Sequence, residues 1–575
     1  MLQLVFHTIL ISAICMAWGL PVLLFINKKN PQQVTSVAGK YLLLFFSGLL
    51  LLSITSSWMV LFLPLRFSNL LFFTFLVIVG SWLSDRKNFR DTISSLFHFK
   101  INLPFNNILF IFLSLLLFFV LGTASSVNID TQLYHLQIVR WTNEYGIVPG
   151  LANIYPRLGL GSSWFNLISL FHIPVFNHQN FTYLNCTLVI WFFLWLLYKF
   201  HHARKGELKN APLALFYFLL IIYFFFDWQL FRDTANSTSY DFVVTALIII
   251  CISIIIESIL KINTNHFNIL AITILAFTIV SFKFSGIFVS LLLLWQLIEV
   301  KKRNNWAIAF IAGIIILVPV LIRNYITTGY PAYPMNFSLG NPDWKLPSVF
   351  AQGIKDYIII QNRYYNTIQQ APDVTSFFSL QWVPFWFKGI LIQHKIICLA
   401  ALFAVVTLFI KFNSIVEVKK FRIFTLLLMA MSVGWFITAP DPRFGYGFLL
   451  FLAFFPFCLF VGKNVQPIVY TGLQWLLMGG ICFYLYQKGN YLLKEPALFL
   501  HTSPTLQPAF NEKAVLNTFN VPQPINNNWN NRCFFTPLPC LCEKNPYLML
   551  RGNALKNGFR MEGIPDSIFI KNYNY

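Results

Sequence analysis

Apolar runs of membrane-crossing length recur from one end of this chain to the other, and they leave it few ways to fold. A helix of roughly 18 to 25 apolar residues covers a hydrocarbon core of about 30 Å. Runs of this kind fall at about 4–26, 41–63, 69–83, 107–125, 180–198, 212–231, 241–260, 268–282, 284–300, 306–322, 396–410, 423–438, 447–461 and 467–486. In hydrocarbon every backbone polar group must be satisfied internally, and the strands of a barrel would be shorter and would alternate apolar with polar residues. The expected fold is therefore an all-α polytopic membrane bundle of about 12–14 transmembrane helices. Only 11% of the 575 residues are charged and 57% are hydrophobic, a balance that excludes a soluble domain of this size.

The net charge of +21 is not a nucleic-acid signature, because Lys and Arg sit in short clusters between apolar runs. Lys28, Lys29 and Lys40, then Arg86, Lys87, Arg90 and Lys100, Lys199 to Lys209, Lys301 to Arg303 and Lys411 to Arg422 mark cytoplasmic loops. Alternation between them puts both termini outside. It also requires a tight hairpin near Lys283, so that Lys261 and the 301–303 cluster share a side. Segment 163–177 is apolar but short, and reads as an interfacial or re-entrant helix. The first run has no basic leader and no small-residue cleavage site, and is expected to remain as an anchor.

Residues 1–486 thus form the transmembrane domain, with a first large external loop at 125–179 and a second at 323–395; residues 487–575 form an external tail, either a small cap or a loose extension. The tail holds Cys533, Cys540 and Cys542, and an oxidising compartment would allow one disulfide among them.

With orientation drawn from the cytoplasmic clusters alone, the polar motifs gather on the opposite face. They are IDTQLYHLQIVRW (129–141), YPRLGLGSSW (155–164), RDTANSTSYD (232–241), SFKFSG (281–286), RNYITTGYPAYP (323–334), NPDWKLP (341–347) and APDPRFGYG (439–447). Lys283, between two apolar runs, needs an anionic partner or a wet cavity. Arg232, Lys283, Arg323 and Arg443 are candidates to hold a lipid phosphate through charge-assisted hydrogen bonds, or are snorkelling anchors. Asp441 joins Arg443 in the site, and Tyr330 and Tyr333 of GYPAYP are candidates to stack on a sugar or line a lipid groove.

Two roles are open to Asp130: a general base at the membrane surface, and the N-cap of the amphipathic helix that Leu133, Leu136, Ile138 and Trp141 outline. His135 is read as a hydrogen-bond partner, a substrate contact or an interfacial residue. No cluster has convincing metal spacing, although Asp130 with Asp233 or Asp241 offers a place for a divalent cation. Neither a P-loop nor a dinucleotide fingerprint is present.

The many spans, the acidic residue in a large first external loop before a juxtamembrane helix, and the later external arginines resemble the GT-C superfamily of lipid-phosphate-sugar-dependent glycosyltransferases. IDTQLYHLQIVRW, YPRLGLGSSWF, RNYITTGYPAYP and APDPRFGYG further resemble a family of bacterial multi-pass proteins associated with surface-polysaccharide synthesis. The resemblance implies a bacterial cytoplasmic-membrane enzyme whose site faces the exterior. Asp130 would be its base and Arg443 a phosphate or acceptor contact, and a polyprenyl-phosphate-linked sugar and a lipid-linked glycan acceptor would be its partners. The acidic pair common in that superfamily is absent, since Thr131 follows Asp130. A polymerase or ligase using a lipid diphosphate, and a lipid-glycan flippase, are the alternatives.

Overall fold

The computed structural model describes residues 1–29, 36–97, 103–126, 128–173, 181–205, 210–227, 231, 233–261, 268–300, 302–364, 379–410 and 417–500. In the tail it describes the backbone of 510–511, 515–516, 519–520 and 523–524, together with 532–534, 536–541, 545–563 and 565.

The chain opens with α1 (Leu2–Lys29), α2 (Val37–Met59), α3 (Phe67–Ser84), the short amphipathic α4 (Arg86–Phe97) and α5 (Phe105–Thr123). A π-helical turn, Thr131–His135, then leads into α6 (Leu136–Glu144), a 3-10 turn at Pro156–Gly159 and α7 (Ser163–Leu170). There follow α8 (Tyr183–Lys205), α9 (Ala211–Phe226), α10 (Asp241–Ile259), α11 (Asn268–Phe282), α12 (Ser290–Val300) and α13 (Arg303–Thr328). The second loop carries α14 (Ser348–Tyr364) and α15 (Val383–Gly389). Beyond it come α16 (Ile392–Leu402), α17 (Val418–Thr438), α18 (Pro442–Val461), α19 (Pro467–Lys494) and α20 (Ala497–Leu500).

Among the described residues ten helices are long and apolar enough to cross a membrane: α1, α2, α3, α5, α8, α10, α13, α17, α18 and α19. Shorter apolar helices cover 211–226, 268–282, 284–300 and 392–408. Each expected run thus carries a helix among the described residues, and the protein is an all-α polytopic membrane protein. The last long helix reaches Lys494 instead of stopping at 486, so the tail starts later than its composition suggests.

Small residues let the first two helices touch. A side-chain carbon on Gly19 would collide with the Leu44 carbonyl, and one on Gly48 with the Cys15 carbonyl, so α1 and α2 pack backbone to backbone. The ends of the helices sort into two levels. Leu4, Gly122, Cys186 and Ala235 meet at one; at the other, Asn27 bonds Thr92, Lys40 bonds Ser95 and Ser36 bonds Tyr198.

Every residue of α7 is buried. The short segment therefore enters the bundle against α2 and α6 instead of lying on its surface. The apolar stripe of α6 is real, with Leu136, Ile138 and Trp141 buried. Its outer side, however, is covered by the tail: Gln137 Nε2 donates to the Phe534 and Thr536 carbonyls at 3.0 and 3.2 Å, and Arg140 Nη1 to Thr536 O at 3.0 Å. Cys533 and Cys540 form a disulfide that closes this part of the tail; Cys542 lies outside the described residues.

Candidate functional site

The turn that carries Asp130 is capped by a neighbour. Asn128 Oδ1 accepts the Thr131 N–H at 2.8 Å and the Thr131 hydroxyl at 2.9 Å, while the Asp130 side chain makes no cap bond. Of its two open roles, Asp130 does not fill the cap. Its carboxylate instead faces Arg157, Oδ1 to Nη1 at 3.6 Å, and is 39% exposed against 10% for the guanidinium. Arg157 is held by ring faces, with Cζ 4.6 Å from the Tyr357 centroid on α14 and 5.9 Å from that of Tyr134. Burial opposes its charge, but the Tyr155 and Tyr357 hydroxyls and Asp130 more than compensate and hold its pKa above the ordinary arginine value.

Two further ion pairs close the other side. Lys283, in the break between α11 and the 3-10 turn at Phe284–Val289, sits 2.6 Å from Asp241 Oδ1 and 2.9 Å above the Phe444 ring centroid. Asp241 is the anionic partner that a cation between two apolar runs requires. Asp441 is the N-cap of α18: Oδ1 accepts the Arg443 N–H at 2.9 Å, and Oδ2 accepts Nε at 3.0 Å and Nη2 at 2.6 Å. Between these pairs lies a small cleft of about 50 Å³ lined by Asn128, Asp233, Ser237, Ser239, Asp241 and Arg443, among others. Its walls offer carboxylates, hydroxyls and one guanidinium edge, a surface suited to a polyol beside an anion.

His135 is not among the residues that line this cleft. It is 2% exposed, enclosed by the rings of Tyr134, Phe165 and Tyr240, with Nδ1 3.3 Å from Thr238 Oγ1. Burial pushes the imidazole down to about 4, so it is neutral near pH 7. Of its three readings, hydrogen-bond partner is the one the geometry supports.

The two tyrosines of GYPAYP stack on nothing that enters from outside. Both are buried, Tyr330 donating its hydroxyl to Leu346 O and Tyr333 to Pro156 O, each at 2.9 Å. Tyr333 thus staples the second loop to the 3-10 turn that bears Arg157, while Tyr330 ties that loop to itself. Arg323 is buried on α13 against Gly161 and is not among the residues that line the cleft. Arg232 lies outside the described residues. Asp130 and Asp241 each face a cation, and among the described residues no group of three or more His, Cys, Asp or Glu is placed to hold a metal.

Sequence reasoning overlooked Asp227. Its Oδ2 accepts the Tyr223 and Tyr446 hydroxyls, both at 2.8 Å, one turn along α18 from Arg443. The signal was a lone carboxylate in the apolar run FFFDWQLF. Tyr357 was equally unmarked, as one aromatic residue in an amphipathic stretch.

A family model described as a domain of unknown function, DUF8201, matches residues 1–450. The chain belongs to the DUF8201 family. The matched region contains Asp130, Arg157, Asp241, Lys283, Arg323, Asp441 and Arg443, whereas the tail that covers α6 falls beyond it. No curated protein and no solved structure matches this DUF8201 member.

Proposed function

We propose that the protein is an integral membrane glycosyltransferase that moves a sugar from a polyprenyl-phosphate donor to a hydroxyl of a lipid-linked glycan, at the outer face of a bacterial cytoplasmic membrane. The observation that carries this reading is Asp130: a part-exposed carboxylate free of capping duty, beside a buried arginine and next to a cleft of hydroxyls and charges. The tail disulfide supports an oxidising compartment for this face.

In the proposed step the acceptor oxygen forms a bond to the anomeric carbon as the bond to the phosphate oxygen breaks, its electron pair leaving with the phosphate. The acceptor proton passes to the Asp130 carboxylate, help worth typically 10² to 10⁴ in rate. Arg157 and Arg443 stand where they can offset charge on the departing phosphate. One displacement inverts the anomeric carbon.

A second reading, a lipid-glycan flippase, draws on Asp227, because ionisable groups held between membrane helices often mark a transport path. A polymerase or ligase with a lipid diphosphate donor would rely on the arginines and survive loss of Asp130.

The test compares cell-surface glycans of a deletion strain, wild type and Asp130→Asn at equal abundance. A mutant that matches the deletion, with an accumulated polyprenyl-linked intermediate, is the expected result. A deletion that alters the glycan while Asp130→Asn does not would sink the assignment.

A further inference from the structure

Arg323 differs from the three paired cations described above. Lys283, Arg157 and Arg443 each meet a carboxylate within 4 Å, whereas Arg323 makes no ion pair among the described residues. Its Nη2 donates to Asn324 Oδ1 at 3.0 Å, its buried Nε has no hydrogen-bond partner, and the residue is only 7% exposed. A guanidinium cannot shed its proton to escape burial. An uncompensated one is retained against a large desolvation penalty.

What lies against it adds positive potential instead of relieving it. A side-chain carbon on Gly161 would fall 2.8 Å from Arg323 Cζ and 3.0 Å from Nε and Nη2, so the guanidinium is pressed onto the backbone there. Gly161 immediately precedes Ser162, the N-cap of the eight-residue helix α7, whose first turn presents the positive end of its dipole. The same turn is fixed on its other side. Gly159 packs against Thr328 and Tyr333, and Tyr333 holds Pro156, next to Arg157. A glycine-lined turn, a helix N-terminus and an unpaired buried guanidinium together form a receptor for an anion.

We propose that Arg323 and the Gly159–Ser163 turn are an anion subsite that takes a phosphate group. It rests on the glycosyltransferase reading only for what bears the phosphate, a lipid carrier; the chemistry of recognition is the same for free phosphate. Phosphate oxygens accept from a guanidinium edge and are drawn to the positive end of a helix, where Ser162 already takes the Trp164 and Phe165 N–H groups, and here they supply the counter-charge that no described side chain provides.

The experiment uses full-length protein in uncharged maltoside micelles, with inorganic phosphate and farnesyl phosphate titrated separately and thermal unfolding as the readout. Farnesyl phosphate is expected to raise the midpoint of the wild type. Arg323→Met should weaken this binding by about tenfold or more, and Arg323→Lys should retain most of it. In the absence of phosphate, Arg323→Met should unfold at or above the wild-type temperature, since it removes an unpaired buried charge. Gly161→Ala, which drives a methyl into the guanidinium while leaving the charge, should also weaken binding. If inorganic phosphate binds with the same dependence on Arg323, the subsite serves free phosphate; if only farnesyl phosphate does, it serves a lipid headgroup. Unchanged affinity in both Arg323→Met and Gly161→Ala overturns the proposal. The transferase reading fails separately, through an Asp130→Asn strain with normal glycan.

Discussion

Lys283 Nζ lies 2.6 Å from Asp241 Oδ1, tying the break after α11 to the first residue of α10. Both side chains are largely buried, at 14% and 17% exposure. Removing one partner strands the other without a counter-charge, at a cost of about 3–5 kcal/mol. Lys283→Met and Asp241→Asn are each expected to lower the thermal midpoint in detergent, and Lys283→Met combined with Asp241→Leu to recover most of the loss. A single variant as stable as wild type would show that the pair does not hold these helices.

Acid should weaken the fold through His135. Its ordinary pKa is 6.5 and burial lowers it to about 4. Between those values the unfolded chain binds a proton that the folded protein does not. The stabilisation is therefore complete above pH 6.5 and is lost as pH falls toward 4, by roughly 3 kcal/mol for this group. His135→Phe, set among three aromatic rings, is expected to flatten that limb in thermal midpoints taken from about pH 7.5 to 4.5. An unaltered slope would place the acid sensitivity elsewhere.

Arg157 is expected to matter for rate more than for folding. Its partner Asp130 is part-exposed and caps nothing, so Arg157→Gln leaves no buried carboxylate behind. Removing one preorganised donor from a developing charge typically costs about 10² to 10³ in kcat. Transfer measured in proteoliposomes at matched abundance decides it, and a rate within a factor of about three of wild type would take Arg157 out of the mechanism.

Reduction of the Cys533–Cys540 bond should loosen the Asp130 turn from a distance. Gln132 is gripped twice by the tail: its carbonyl accepts the Phe534 N–H at 3.0 Å, and its Oε1 accepts Arg532 Nη1 at 2.6 Å. Losing a contact of this kind costs about 1 kcal/mol, several-fold in local opening. Amide exchange at 128–137 is expected to rise by about that factor on reduction or in Arg532→Ala, with α10 and α18 unaffected. Equal exchange with and without reductant would show that the tail merely rests on the turn.

Tyr333→Phe should cost about 1 kcal/mol through the lost bond to Pro156 O and leave transfer close to wild type. A large loss of transfer at unchanged stability would restore a substrate-facing role for this ring.

The helices were legible because apolar length is a direct consequence of bilayer thickness, and so was the Lys283 break, which charge alternation demanded. Pairings were not. Nothing local in the sequence says that Lys283 meets Asp241, 42 residues away, or that Arg157 meets Asp130. Asp130 was open to a cap role as well as a base role because it stands before a helix, yet the chain enters through a π turn and the Asn128 side chain takes the Thr131 N–H instead. Tyr330 and Tyr333 looked like a sugar platform because a Pro-rich turn is usually exposed. Here the loop folds inward, and both hydroxyls are spent on backbone carbonyls.

The contact between Arg532 and Gln132 spans 400 residues of chain. At a growth rate of about 5–20 residues per second, the Asp130 turn leaves the ribosome roughly 20 to 80 seconds before the arginine that secures it. Order of manufacture therefore sets order of completion. A nascent chain arrested short of residue 532 would already hold α1 to α19 and still carry an uncovered Asp130 turn.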